Sequence, residues 1–264
     1  MKNKNISFKI GHVLIQVNHL ETAIHEYRQM GFQVVSGGPP GKAHNALIYL
    51  KDGSFLELFC TNHGTFINAL LEVMVDVIGF FSPSYSSRLG LYLPKQEGLR
   101  DYALDSVPGA LYQENIRKIR ENKLNISNPR SKSRVDRHGI RLSWTLSCPK
   151  SIFLPFLMSE YHPSAMIEDE NVSHPNGALG IQVIEIATNQ WENTYHEYAL
   201  LLGIEPHITY AQTGRSCIFS IRGTDIHLLE KAENGIACII LFCNRQLEKI
   251  DTYAATPPFI LMNR

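Results

Sequence analysis

The sequence carries no surplus of charge of either sign. Twenty-five Lys and Arg residues face twenty-five Asp and Glu residues in a chain of 264, so no global field draws it to nucleic acid or to anionic lipid. Long apolar runs are also missing: the purest one, Ile236 to Phe242, is far too short to span a bilayer. The opening residues Met1 to Asn5 show neither the apolar core nor the cleavage site of a signal peptide, and the expectation is a cytoplasmic chain. No C-x-x-C pair occurs among Cys60, Cys148, Cys217, Cys238 and Cys243. Odd in number, scattered and set in apolar segments, they read as buried thiols in a reducing compartment. A Walker loop, a G-x-S-x-G elbow, an H-E-x-x-H helix and a dinucleotide fingerprint are all absent. Gly37 to Gly41 lacks the helix-opening context that cradles a phosphate.

What is present is a repeated order of elements. From Phe8 to Val17 the residues alternate, with Val13, Ile15 and Val17 on one face and Phe8, Ile10, His12, Leu14 and Gln16 on the other. A helix follows, with Asn18 as candidate N-cap and a stripe of Leu20, Ile24 and Tyr27, stopped by Gly31. Then come a short strand from Phe32 to Val35 and a hairpin, Ala43–Leu50 and Ser54–Cys60, turning on Asp52-Gly53. The order is β-α-β-β-β.

It recurs near the C-terminus in a strand from Ile181 to Ala187, a helix from Asn189 to Leu202, and a hairpin across Arg222-Gly223. The middle reads as a more divergent copy, with strands at Arg88–Leu93, Gly139–Ser147 and Ile152–Glu160 and a helix at Leu111–Lys123. Arg130 to Arg134 reads as a solvated basic loop, and Leu70 to Phe81 as an inserted helix. Gly235 to Cys243 resembles the first strand of a fourth copy with no room to finish. Units that bury one face each must pair to close a core. The expected class is α+β: repeated β-α-β-β-β units pair into a half-open, mainly antiparallel barrel, with an additional C-terminal unit. One domain is expected over residues 6–165, with paired units at 6–62 and 86–162 and an inserted helix at 66–81. A third unit and the truncated fourth fill 174–264.

This order, with Gly11-His12-Val13, His44 to Ile48 and Asp52 to Leu58, resembles the glyoxalase-like domain family of the vicinal-oxygen-chelate superfamily. Arg134-Val135-Asp136, Gly139, Trp144, Leu154-Pro155-Phe156 and His162-Pro163 extend the likeness over roughly the first two thirds of the chain. The resemblance implies a bowl in which residues of the first and fourth strands of each unit hold one divalent ion, Mn, Fe, Ni or Zn. The ion chelates neighbouring oxygens of a small substrate. Fold analogy alone does not establish activity.

Mapped onto this sequence, the metal candidates are His12 and Glu57, whose parity puts them on the same kind of face, joined by Glu160 or by His227. His227 stands where Glu57 does when Arg222-Gly223-Thr224 is laid on Asp52-Gly53-Ser54. A polar pair of His12 and Glu57 without metal is the alternative. Position 88, laid against His12, is an arginine, which cannot ligate a cation. In a bowl it could clamp an acid, or it could simply face solvent. Asn45, Tyr92, Arg134 and Trp144 complete the candidate ligand-binding set, and Glu57 and Glu160 are the candidate catalytic carboxylates.

Two functions are therefore in view. One is a metal-dependent lyase, isomerase or dioxygenase acting on a small oxygenated metabolite. The other is a metal-free binding or sequestering protein of the bleomycin-resistance type. The partner in both is a small molecule rather than nucleic acid or membrane, and the surplus half-unit is a candidate homodimer surface.

Overall fold

A computed structural model describes residues 6–38, 45–60, 83–93, 96–244 and 259–263. The expected helix at Leu70–Phe81 lies outside the described residues, as do His44 and most of the glycine- and proline-rich loop.

The chain runs β1 (Phe8–Gln16), α1 (Leu20–Gln29), β2 (Val35–Ser36), β3 (Asn45–Tyr49), β4 (Phe55–Phe59), α2 (Pro83–Gly90), β5 (Gly98–Ser106), α3 (Tyr112–Glu121), β6 (Arg130–Val135), β7 (Arg141–Ser147) and β8 (Phe156–Met158). It continues through β9 (Ala178–Thr188), α4 (Trp191–Leu202), β10 (Ile208–Ala211), β11 (Gly214–Ile221), β12 (Thr224–Glu230), β13 (Gly235–Cys243) and β14 (Phe259–Asn263). The first eight strands form one curled sheet in the order β2-β3-β4-β1-β5-β8-β7-β6, and the rest form a second, β10-β11-β12-β9-β13-β14. The second order repeats the first six places of the first. It stops where β7 and β6 would follow.

Both sheets turn their apolar faces to the helices. Val13 and Ile15 of β1, Tyr27 of α1, Ile116 and Ile119 of α3, Tyr198 and Leu201 of α4, and Ile184 and Ile186 of β9 belong to one continuous core. Inside it the Tyr102 and Tyr198 hydroxyls meet at 2.8 Å, and the Phe259 ring lies 5.5 Å from that of Phe32. A phenol buried this deeply needs a partner, and here a phenol from strand β5 and one from helix α4 satisfy each other.

The strict alternation expected along β1 breaks at Gly11. A one-residue bulge there puts Ile10 opposite Leu104, in the core, but His12 opposite Ala103, on the concave face. Phe8 and Ile10 therefore share the helix side with Val13 and Ile15, while His12 and Leu14 keep the face expected of them. Glycine is required at the bulge because a Cβ would lie 2.4 Å from Asp105 Oδ1.

Three local expectations need correction. Arg88 to Leu93 is not a strand: Arg88 lies in the last turn of α2, and the opening strand of the second unit is β5, ten residues on. Arg130 to Arg134 is not a loop but the edge strand β6, with alternating half-buried and exposed residues. Asn18 does not cap α1; the N-cap is His19, without a side-chain bond.

Candidate functional site

Register fixes which residues meet at the centre of the first bowl. In the parallel pair β1–β4, His12 stands opposite Phe55 and Leu14 opposite Glu57. In the parallel pair β5–β8, Ala103 stands opposite Phe156 and Asp105 opposite Met158. The β1–β5 contact pairs His12 directly with Ala103. Position for position, Ala103 is thus the second unit's counterpart of His12, and Met158 that of Glu57.

These strands enclose a cavity of about 180 Å³. His12, Glu57, Arg88, Tyr92 and Trp144, all singled out from sequence, line it. So do Tyr85 and Leu89 of α2, Leu146 and Cys148 on β7 and just beyond it, and Phe156, Met158 and Tyr161 on β8 and just beyond it, none of which the sequence had marked as a site residue. The walls are mostly aromatic and aliphatic, as small-molecule sites are.

His12 lies flat on Phe55 with ring centroids 4.4 Å apart, and edge-on to Phe156 at 5.4 Å. Burial, seconded by the Arg134 charge, pushes its pKa down to about 3, so the imidazole is neutral. Its Nδ1 is buried without a hydrogen-bond partner, and its Nε2 is 3.8 Å from Glu57 Oε2. Burial raises the Glu57 pKa, against the opposing pull of the Asn45 amide and Arg134. Asn45 Nδ2 donates to Glu57 Oε1 at 2.7 Å, which holds the carboxylate in place. Asn45 is in turn packed so closely that a Cβ on Gly37 would fall 2.0 Å from its Oδ1.

The floor beside this pair is a buried ion pair. Arg88 Nη1 donates to Asp101 Oδ1 at 2.6 Å, and Nη2 donates to the Leu154 carbonyl at 2.5 Å. Tyr92 donates its hydroxyl to Asp101 Oδ2 at 2.5 Å, and its pKa is raised well above the ordinary value by burial and by that carboxylate. Arg134 enters from β6 with Nη1 on the Gly37 carbonyl at 2.8 Å and its guanidinium 5.6 Å from the Tyr161 ring. The Cys148 thiol is pushed up to about 11 by burial, which leaves it protonated and inert at neutral pH.

Two expected members sit elsewhere. Glu160 lies past the end of β8, where its Oε1 accepts from the Gly109 backbone N–H at 3.1 Å. His227 does occupy the position of Glu57, but in the second sheet, opposite Glu185 with Nδ1 3.9 Å from its Oε1. The alignment of the two hairpins gave the right register. It could not tell that the third unit builds a separate sheet rather than joining the first.

At the lip of the first bowl Asp105 is buried beside Gly11, with Oδ1 unpartnered. Burial pushes its pKa up to about 7, with Glu160 adding to the rise and Lys9 opposing it. A carboxyl whose folded pKa exceeds its unfolded one holds a proton that the unfolded chain releases. Stability therefore falls as pH rises between the ordinary aspartate value of 3.8 and about 7, by about 1.4 kcal/mol per pH unit at most. Urea unfolding of Asp105→Asn should lose that decline and gain stability at pH 8. An unchanged pH profile would remove Asp105 as its source.

Can these residues hold the divalent ion that the fold class implies? Of the four central positions only His12 and Glu57 carry ligand donors suited to it. Ala103 has none, and Met158 offers a soft thioether unsuited to Mn or Zn. Among the described residues no group of three or more His, Cys, Asp or Glu side chains converges as a metal site. Two donors fall short of the three protein ligands usual at a catalytic metal. The donor set does not fit the group.

The sheet order, the paired units and the central bowl are those of the vicinal-oxygen-chelate proteins. Its fold matches a hypothetical protein from Staphylococcus aureus with a TM-score of 0.71 at 11% identity, covering 97% of this chain and 100% of that one. A Mn(II)-bound glyoxalase from Novosphingobium aromaticivorans follows with a TM-score of 0.53 at 7% identity, covering 91% and 67%. The 2,3-dioxygenase LapB from Pseudomonas sp. KL28 gives 0.52 at 10% identity, covering 91% and 77%. No curated protein matches the sequence. The family model described as a glyoxalase-like domain matches residues 10–202, and the chain belongs to that family. Among the described residues no helix is long and apolar enough to cross a membrane.

Proposed function

We propose that the first bowl is a small-molecule site that works without a resident metal, and that the protein binds or sequesters an apolar, ring-containing compound there. One observation carries this reading: the second unit puts Ala103 and Met158 where two further ligands would have to stand. What remains is a mostly apolar cavity in which His12 is packed between Phe55 and Phe156 as an aromatic wall, and in which Glu57 is held by Asn45. A neutral imidazole with a free Nδ1 and a carboxyl group with a raised pKa can orient a hydroxyl or amide of the guest. The metal-dependent relatives lend the fold to this reading, not their chemistry.

Two measurements test it. Protein soaked in Mn, Fe(II), Ni or Zn and then desalted should retain less than about a tenth of an equivalent, as expected of a two-donor site. Aromatic compounds should quench tryptophan emission in the parent chain and not in Trp144→Phe, because Trp144 lines the cavity while Trp191 is buried in the core. Retention of a full equivalent of metal, lost in His12→Ala, would sink the proposal.

A further inference from the structure

Two cations beside the cavity stand outside the pairs that its own charged residues make. Arg88 is neutralised by Asp101 at 2.6 Å. Arg134 lies close enough to Glu57 to oppose the rise in its pKa, and its Nη1 is committed to the Gly37 carbonyl. Two cations are left over, Arg130 and Lys132 of the edge strand β6.

Their direction follows from register. Arg130 stands opposite Leu146 and Lys132 opposite Trp144 across the antiparallel β6–β7 pair, and both partners line the cavity. Directly opposed residues of an antiparallel pair project from the same face, so both cations point to the bowl. There they share one aromatic neighbour. The Arg130 guanidinium is 4.9 Å and the Lys132 ammonium 4.8 Å from the ring centroid of Tyr85, itself part of the cavity wall. Among the described residues no ion pair engages either cation. Two like charges held against one ring repel each other, and the ring's quadrupole offsets only part of that cost. An anion placed between them would offset the rest.

We infer that the guest of this cavity is a ring compound bearing an acidic group, with its ring against Trp144 and Tyr85 and its anion between Arg130 and Lys132. This assignment rests on the proposed function and names the ligand class for the same site. Arginine supplies a planar fork and lysine a mobile point charge, a combination that grips a carboxylate from two sides. Glu57 and the neutral His12 line the same cavity and would face the uncharged part of the guest.

The test is calorimetric titration of the whole chain with matched pairs: benzoate against benzamide, and 2-naphthoate against 2-naphthamide. At low salt the acid of each pair should bind at least about tenfold more tightly, and the gap should narrow at 0.5 M salt, since exposed charges are screened within a few ångströms there. In the Arg130→Met/Lys132→Met double variant the acid should lose its advantage while the amide keeps its affinity, which separates lost charge from lost folding. Equal binding of acid and amide by the parent chain would overturn the ligand class and leave the cavity reading intact. Binding of none of the four compounds would overturn both.

Discussion

Arg88→Met should be the most damaging single substitution in the first bowl, lowering stability by about 3–5 kcal/mol, read as a drop in the urea midpoint. Arg88 and Asp101 are both buried, with 2.6 Å between Nη1 and Oδ1. Removing the cation leaves Asp101 buried without its counter-charge, with, among the described residues, only the Tyr92 hydroxyl and the Tyr102 backbone N–H still donating to it. It also strips the Leu154 carbonyl of its 2.5 Å partner. An uncompensated buried charge is the larger of the two losses. The control is the double variant Arg88→Met/Asp101→Leu, which removes the stranded charge along with its partner. It should recover most of the lost stability, because a buried ion pair replaced by hydrocarbon of similar volume is near neutral. If the double variant is no better than Arg88→Met alone, the cost lies in packing and the electrostatic account fails.

The repeat was legible in the sequence because it is written in alternation and turn residues, which act locally. The hairpins at Asp52-Gly53 and Arg222-Gly223 appear as β3–β4 and β11–β12, with φ of 82° at Gly53 and 44° at Arg222. His12 and Glu57 were legible as a facing pair for the same reason. Two features escaped because they depend on partners distant in sequence. The bulge at Gly11 reverses the parity of Phe8 and Ile10, and nothing in an alternating run announces it; the demand comes from Asp105 across the sheet. Arg88 was set against His12 because the divergent second unit was entered too early. Its apolar alternation truly begins near Leu99, and Arg88 reaches the floor from a helix instead.

Other features are written in the local sequence period itself. Arg130, Lys132 and Arg134 alternate with Ser131 and Ser133, which is the period of a strand with one cationic face rather than of a solvated loop. Phe156 and Met158 share the same period on β8. Aligning the hairpins by register would have exposed Met158 as the counterpart of Glu57, and with it the lack of a complete ligand set.

That counterpart makes the strongest test of the architecture a gain rather than a loss. Where the parent chain is expected to retain almost no divalent ion, Met158→Glu should bind about one equivalent, with three protein ligands where a catalytic site needs three. Glutamate and methionine are similar in length and volume, so the new carboxylate would enter the cavity from β8 as Glu57 does from β4, with His12 between them. Without metal the variant gathers two carboxyl groups into a site walled by Phe55, Phe156 and Leu146, so its stability should fall by about 1–3 kcal/mol. Metal should then restore it by mass action, about 2.7 kcal/mol at a hundredfold excess over Kd, and a chelator should reverse the gain. The parent chain should show no shift in unfolding midpoint with Mn or Zn at the same concentration. A Met158→Glu chain that takes up no ion although it folds would mean that Glu57 and position 158 do not face a common centre, and the equivalence of the two units at the bowl would have to be abandoned.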